Sequence, residues 1–241
     1  MAKINAFKFK SAINLYAITD AHIGSKAHDA VKFKKTITQI KKDPNAYCFF
    51  NGDNIELIPP NYGIPEGGQE FSVDEQVREF TDLLKSLGKK VLFIRAGNHE
   101  NRAANLLGFD LAAFLGKELK IPALHVGMEE VHIYIGKTKL RIVTSHGEGG
   151  GSKRVLNNMQ LSFPGADLYV SGHTHEKYVN AGNLTVDTSS GEEVLRPQIE
   201  CVGGSFLNWA DYARGKNMRP TETGCFIFHC GDKGIFLNGV M

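Results

Sequence analysis

Two histidines, His173 and His175, stand two positions apart in the segment "VSGHTHEK" (170–177), directly after an apolar run and a glycine. An isolated His-x-His is more often a polar surface turn than a metal site, because short motifs have many chance matches. The interpretation depends on whether other parts of the chain end in the same way.

Five short, mainly apolar runs predict β-strands that are buried on both faces. Each run is followed by Asp, Asn or His: "INLYAIT" by Asp20 and His22, "AYCFF" by Asp53, "VLFIRA" by Asn98 and His99, "LRIVT" by His146, and "DLYV" by His173 and His175. Loops that follow the carboxyl ends of strands in an α/β sheet gather along one edge, where ligands bind. These side chains are therefore expected to meet.

The chemistry that these residue types suit is the binding of divalent metal ions. Carboxylate, amide and imidazole donors without a thiolate favour Mn, Fe, Zn or similar ions over a structural zinc site. Taken singly, each residue has a simpler explanation as a helix cap, a turn or a hydrogen-bonded histidine. Together they exceed what one catalytic metal with an open position needs, and they suit two ions that share a bridging carboxylate. The candidate ligands are Asp20, His22, Asp53, Asn98, His146, His173 and His175.

The arrangement resembles the calcineurin-like metallophosphoesterase family. The family's five blocks, D-x-H, G-D, G-N-H-[D/E], H and G-H-x-H, occur here in that order between Asp20 and His175. The resemblance implies an α/β fold, a four-layer α/β/β/α sandwich of two mixed β-sheets flanked by helices. It also implies two ligand sets that share Asp53: Asp20, His22, Asp53 and His175 for one ion, and Asp53, Asn98, His146 and His173 for the other.

The same resemblance implies a dinuclear metal-dependent phosphoesterase. The two divalent ions would be Mn²⁺ in the first place, with Fe, Zn, Ni, Co or Mg also compatible, and a bridging hydroxide would attack phosphorus. His99 resembles the family histidine that lies over the phosphate, and we expect it to act as general acid. The simpler alternative is that His99 only fixes its loop. Glu100 either orients His99 or a ligand, or is solvated.

Three basic residues are the candidates for substrate binding. Arg102 would meet a substrate phosphate or pair with an acid on its own helix, and both alternatives stay open. Lys153 and Arg154 follow the glycine-rich "GEGGGS" at a predicted helix start, where anions are favoured, although a flexible surface loop explains the segment equally well. These residues favour a phosphodiesterase acting on a nucleotide or nucleic acid. A phosphomonoesterase would use the same core, and a non-catalytic scaffold of the same fold would be expected to lack ligands or His99.

Further elements can be predicted from periodicity and turn residues. Helices are expected at about 28–42, at 72–88, where Ser72 and Glu75 form a capping box, and at about 102–119. "GKT" at Gly136 reads as a hairpin turn, a second hairpin is expected in "GCFIFHC-GDKG-IFLNGV", and 59–70 is expected to be a loop at the rim of the site.

Composition sets limits on the class of protein. The 241 residues, 42% of them hydrophobic, are expected to form a single domain over 1–241. A net charge of +2 gives no polybasic signal for nucleic acid or membrane. The four cysteines form neither a CxxC pair nor a dense framework, so we expect buried free thiols. No apolar signal core or membrane-spanning run occurs, which predicts a cytoplasmic protein without a membrane partner, and the oligomeric state stays open.

Overall fold

The computed structural model describes residues 5–59, 68–149, 151–187, 193–208 and 220–241. Two mixed β-sheets of six strands each form the centre of the fold. The first, sheet I, contains in spatial order β12 (Gly234–Val240), β11 (Phe226–Gly231), β2 (Ile13–Ile18), β3 (Ala46–Asn51), β4 (Val91–Arg95) and β5 (Ala123–Leu124). Strands β2 to β5 run parallel, whereas β11 is antiparallel to β2 and β12. The predicted C-terminal hairpin is therefore confirmed.

Sheet II supplies the other two strands that precede candidate ligands. Its strands, in spatial order, are β1 (Asn5–Phe9), β6 (Glu129–Ile135), β7 (Thr138–Ser145), β8 (Leu168–Ser171), β10 (Val194–Gly203) and β9 (Lys177–Asp187). Strands β7 and β8 are parallel neighbours. Strands β6 and β7 form an antiparallel hairpin, which confirms that "GKT" lies in a turn.

Five helices flank the sheets within the described residues: α1 (Ala30–Lys42), α2 (Val73–Leu87), α3 (Glu100–Leu107), α4 (Leu111–Leu119) and α5 (Ser152–Ser162). The capping box of α2 is confirmed, because the Ser72 hydroxyl accepts the Glu75 N–H and the Glu75 carboxylate accepts the Ser72 N–H. No helix among the described residues is long and apolar enough to cross a membrane.

The prediction of one helix over 102–119 was wrong. Gly108 ends α3 in a left-handed conformation, with φ of 64°. Asp110 then starts α4, since its carboxylate accepts the Ala113 N–H at 2.9 Å. A glycine followed two residues later by a capping carboxylate separates two helices.

Three apolar clusters show the order of the layers. One lies between the sheets, where the Phe49 and Phe93 rings stack at 4.7 Å. A second packs α1, α2 and α4 on the outer face of sheet I, and a third packs α5 on the outer face of sheet II. The expected four-layer α/β/β/α sandwich is thus confirmed. The four cysteines are buried free thiols, also as expected.

Candidate metal centre

The predicted ligands come from both sheets and meet at one end of the sandwich. The loops after β2 and β3 are joined by a hydrogen bond from the Asp20 N–H to the Gly52 carbonyl, 3.1 Å long. The loops after β2 and β8 are joined where the His173 N–H donates to the Asp20 carboxylate at 3.0 Å. Sequence reasoning placed these side chains at a sheet edge, and the structure shows that the edge belongs to two facing sheets.

One group of converging side chains consists of Asp20, His22 and His175. Their ligand atoms all lie within 4.8 Å of one another. The Nε2 atom of His175 is 3.4 Å from Asp20 Oδ1 and 3.2 Å from His22 Nε2. Within the described residues, this first group matches three of the four side chains that the resemblance assigns to one ion.

A second group consists of Asp53, His146 and His173, again with ligand atoms within 4.8 Å of one another. Asn98 joins it, because its Oδ1 lies 3.1 Å from His146 Nε2 and 2.7 Å from His173 Nδ1. Asp53 lies between the two groups: its Oδ2 is 3.2 Å from His146 Nε2 and 3.8 Å from His22 Nε2. The structure therefore brings all seven predicted ligands together, with Asp53 between the two groups, where it could contact both ions.

The backbone at these positions is strained. Seven described residues other than glycine have positive φ, and five of them are candidate ligands: Asp20, His22, Asp53, His173 and His175. Each left-handed conformation costs of the order of 1 kcal/mol for a residue with a Cβ, and such residues cluster at functional sites. The strain is what we expect of a chain held to aim donors at a common point.

Glycines allow the strand ends to approach this closely. A Cβ added at Gly97 would lie 2.1 Å from Asp53 Oδ1, and one at Gly172 would lie 2.6 Å from Asp20 Oδ2. Neither carboxylate could keep its position beside an alanine. Both glycines are therefore required for the close approach of the backbone to these carboxylates.

Glu56 and Asn51, which sequence reasoning did not single out, orient two of the imidazoles. The Nδ1 atom of His22 donates to Glu56 Oε2 at 2.9 Å, and the Nδ1 atom of His146 donates to the Asn51 carbonyl at 3.0 Å. Because Nδ1 is used in each hydrogen bond, Nε2 is the ring nitrogen that faces the centre and could ligate a metal ion. Both residues flank the G-D block in "NGDNIE", but nothing in the sequence shows which histidine each one contacts.

Glu100 is buried and orients a ligand loop. Its carboxylate accepts four backbone N–H groups, from Asp53, Asn54, Ile55 and Gly97, at 2.7–3.1 Å. Burial and the nearby Asp53 carboxylate raise the pKa of Glu100. Of the alternatives open at the sequence level, the structure favours the orientation of a ligand, Asp53.

The charges of the centre suit divalent cations. Burial opposes ionisation of Asp53, but the charges of His146 and His99 outweigh it and hold the pKa of Asp53 well below its ordinary value. The pKa of Asp20 is likewise lowered, against burial, by its hydrogen bond with His175. Burial also opposes protonation of His146, yet the Asp53 carboxylate raises the pKa of His146 to about 10. Ionised carboxylates that attract protons onto adjacent imidazoles would hold metal ions in place of those protons.

His99 lies beside both groups. The backbone N–H of His99 donates to Asp53 Oδ1 at 2.9 Å. In the ring, Nδ1 donates to the Glu56 carbonyl at 2.5 Å, and Nε2 is 3.8 Å from Asp53 Oδ2. Burial above all lowers the pKa of His99 to about 4. A carbonyl can only accept a hydrogen bond, so the neutral ring is protonated at Nδ1 and carries its lone pair on Nε2. His22, Asp53 and His99 also form a third group of converging ligand atoms.

The three basic residues differ in their surroundings. Arg102 is buried, and its Nη1 donates to the carbonyls of Glu56 and Leu57, both at 2.9 Å. These bonds hold the loop after Asp53 against α3, and the substrate contact of Arg102 stays a prediction. Lys153 and Arg154 are exposed in the first turn of α5, where a helix start was expected. Most of the expected rim loop, residues 60–67, lies outside the described residues.

Comparison with known proteins agrees with this site. A model of the calcineurin-like phosphoesterase family matches residues 13–177. A comparison with curated proteins finds no match.

Several solved structures resemble the chain at low sequence identity. A Zn²⁺ complex of Vps29 from Entamoeba histolytica is 13% identical, with 92% of this chain and 89% of that chain covered and a TM-score of 0.49. A metallophosphoesterase from Sphaerobacter thermophilus is 13% identical, with coverages of 95% and 89% and a TM-score of 0.46. A predicted phosphoesterase from Streptococcus pneumoniae is 13% identical, with coverages of 91% and 82% and a TM-score of 0.39.

Two facing sheets with oxygen and nitrogen donors gathered at their strand ends form a candidate centre for divalent metal ions. The family match covers more than half of the chain, and the chain belongs to the calcineurin-like phosphoesterase family. It is a metal-dependent phosphoric ester hydrolase.

Proposed function

We propose that this phosphoesterase is a phosphodiesterase that hydrolyses a nucleotide or nucleic-acid phosphodiester. The observation that carries the proposal is the placement of the arginine and lysine side chains that follow the ligand blocks. The guanidinium of Arg102 is buried on two carbonyls, whereas Lys153 and Arg154 are exposed at the start of α5, after the loop that begins at His146.

This distribution of charge suits a diester better than a monoester. A monoester concentrates two negative charges on the reacting phosphate and gains from an arginine held against it. A diester carries one charge there, and in a nucleic acid the neighbouring phosphates carry the others. Exposed basic side chains such as Lys153 and Arg154 typically bind such neighbouring phosphates without reading sequence.

The side chains of the centre have separate tasks in this proposal. Two divalent ions, when bound, would neutralise charge on the phosphoryl oxygens and lower the pKa of a water molecule. Asp20 and Asp53 would hold the ions, and Glu56 and Asn51 keep the imidazoles of His22 and His146 in the ligating orientation.

His99 would donate a proton from Nε2 to the leaving oxygen, which requires that Nε2 first become protonated. An anionic phosphate close to the ring raises the pKa of a histidine, so the substrate itself would favour the charged form of His99. The Glu56 carbonyl keeps the ring oriented throughout, because its bond to Nδ1 exists in both protonation states.

The experiment compares hydrolysis of bis-p-nitrophenyl phosphate and p-nitrophenyl phosphate by the Mn²⁺-loaded protein. We expect diester turnover, and we expect His99→Ala to lower kcat by about 10²–10⁴-fold while both metals stay bound. His229→Ala, at an exposed histidine on β11, is the matched control and should behave as wild type.

The other outcomes separate the alternatives. Turnover of the monoester alone would make the protein a phosphomonoesterase, acting on a protein or a small molecule. No turnover by a protein that holds two metals would favour a binding scaffold. Loss of one metal in His99→Ala would make His99 a ligand rather than a general acid.

The substrate class needs its own variant. A double variant, Lys153→Ala with Arg154→Ala, should raise KM for a single-stranded oligonucleotide and leave KM for bis-p-nitrophenyl phosphate unchanged, because only the oligonucleotide has neighbouring phosphates. If the double variant had the same KM as wild type for the oligonucleotide, nucleic acid would be excluded as the proposed substrate.

The proposal includes Mn²⁺ as the metal, in line with a donor set of carboxylate, amide and imidazole without thiolate. We also propose that residues 1–241 form a single domain and that the protein is cytoplasmic. Four buried free thiols support the cytoplasmic location.

A further inference from the structure

Arg95, the last residue of β4, is fully buried between the two sheets. All five of its N–H donors have acceptors. Nε donates to Asn51 Oδ1 at 3.1 Å, and Nη2 donates to Thr144 Oγ1 and O at 2.8 and 3.1 Å. Nη1 donates to the carbonyls of His125 and Gly127. A single side chain of sheet I therefore contacts β7 of sheet II and the segment between β5 and β6.

The contacts of Arg95 lie directly before three ligand loops. Arg95 itself precedes Asn98 by three positions, Asn51 precedes Asp53 by two, and Thr144 precedes His146 by two. Asn51 extends the network across the sheets, because its Nδ2 donates to the Ser145 carbonyl at 2.8 Å. Its own carbonyl accepts from His146 Nδ1 at 3.0 Å. The strands that supply Asp53, Asn98 and His146 are thus joined by one buried polar network.

The stability of the fold alone does not account for this arginine. The Glu129 carboxylate lies 3.7 Å from Nη2 and is partly exposed, so the buried guanidinium is satisfied mainly by carbonyl, amide and hydroxyl oxygens. Burial lowers the pKa of Arg95 to about 10, which reflects the free-energy cost of placing a charge there. Well-packed apolar side chains often replace buried charges with no loss of stability.

We propose that Arg95 is a positioning residue for the second metal group, Asp53, His146 and His173, because it sets the spacing of the two sheets where that group forms. The inference rests on the proposed function to the extent that the group binds a metal. Asp20, His22 and His175 follow β2 and β8, and within the described residues the Arg95 side chain makes no hydrogen bond to either strand.

Lysine is the informative replacement for Arg95. Lysine keeps the positive charge, but its three N–H donors are all on one nitrogen. It therefore cannot satisfy the five acceptors that the planar guanidinium of Arg95 contacts. Arg95→Lys would leave acceptors on Asn51, Thr144 or the β5–β6 segment without a partner, and the spacing of Asp53 and His146 would relax. Removal of a residue that holds metal ligands in place typically lowers metal affinity by about 10–100-fold.

Arg196→Lys is the matched control. Arg196 is also largely buried and hydrogen-bonded, with Nη2 on Asp167 and Nη1 on the Lys139 carbonyl, 3.1 Å away. Lys139 lies near the start of β7, whereas His146 follows its end. The two variants therefore make the same chemical change in arginines that contact opposite ends of β7, Arg95 at Thr144 and Arg196 at Lys139.

The experiment is a calorimetric titration of the metal-free proteins with Mn²⁺. We expect two sites in wild type and in Arg196→Lys. In Arg95→Lys the site of Asp53, His146 and His173 should weaken by about 10-fold or more, whereas the site of Asp20, His22 and His175, which shares only Asp53 with it, should weaken clearly less. A purely structural role would lower the melting temperature of the metal-free protein and leave both affinities unchanged, and that result would overturn the inference, as would equal weakening of both sites.

A milder variant covers the case in which Arg95→Lys does not fold. Thr144→Val keeps the shape of the side chain and removes only the Oγ1 acceptor, so it should weaken the site of Asp53, His146 and His173 most, by a smaller factor than Arg95→Lys does. Unchanged affinities in Thr144→Val would then count against the inference. A wild-type protein that binds no Mn²⁺ would refute the proposed function as well, whereas two intact sites in every variant would overturn the inference alone.

Discussion

Replacement of Glu100 by glutamine tests how the ligand loops are held together. The carboxylate accepts N–H groups from both loops that carry Asp53 and Asn98, two on each oxygen. In Glu100→Gln one oxygen becomes an NH₂ group, which would point a donor at two backbone donors. Whichever oxygen is replaced, the loop that carries Asp53, whose φ of 49° is strained, would lose at least one of the bonds that hold it.

The magnitude follows from the two lost acceptor bonds. Each buried N–H left without a partner costs about 1–3 kcal/mol, which gives about 2–6 kcal/mol in total. Part of this is offset, because the carboxylate is itself disfavoured by burial and by Asp53, which raise its pKa. We expect a net loss of about 3 kcal/mol in the free energy of unfolding. A domain of ordinary stability, about 5–15 kcal/mol, would remain folded.

Urea unfolding of the metal-free protein measures this loss, and Mn²⁺ titration of the same variant measures its effect on Asp53. Glu118→Gln, at an exposed glutamate on α4, is the control and should change the free energy of unfolding by less than about 0.5 kcal/mol. A Glu100→Gln protein as stable as wild type, with both metals bound, would refute the role that we give to these four hydrogen bonds.

Two further predictions concern close approach and acid stability. Gly97→Ala should abolish metal binding at the Asp53 group, because the added Cβ would lie 2.1 Å from Asp53 Oδ1. The control Gly182→Ala, at a position with room for a methyl group, should bind metal as wild type does. Equal metal affinities in the two variants would contradict the steric argument. The hydrogen bonds from Arg141 hold the pKa of Glu130 at about 2, below its ordinary 4.5, so Glu130 stabilises the fold above pH 4.5 and this contribution is lost as the pH falls towards 2. Glu130→Gln should lower the free energy of unfolding by about 1–2 kcal/mol at pH 7, allowing for screening by water, and by almost nothing at pH 2. A loss of stability that is independent of pH would exclude the ion pair as its cause.

The ligand set could be predicted from the sequence because strand ends are easy to recognise. Each candidate follows a mainly apolar run, and the chain leaves three of those runs through Gly52, Gly97 or Gly172. The close contacts of these glycines with ligand side chains explain why the pattern is so regular. Sequence alone also shows the capping box of α2, since a local hydrogen-bond pattern needs no tertiary information.

Other features depend on which strands face each other, and the sequence does not contain that information locally. Arg95 in "VLFIRA" reads as a polar residue at a strand end, and only the approach of Thr144 from sheet II shows why it is buried. Arg102 reads equally well as a substrate contact, because its acceptors belong to a loop 45 and 46 positions away. The separation of α3 from α4 was within reach of sequence reasoning, since Gly108 and Asp110 are both helix-boundary residues.

The most direct test of the central claim is anomalous diffraction from crystals grown with Mn²⁺. We predict two peaks, one among Asp20, His22 and His175 and the other among Asp53, His146 and His173, with Asp53 in contact with both. A single peak, or two peaks that do not share Asp53, would contradict the account of a dinuclear centre built from the ends of five strands.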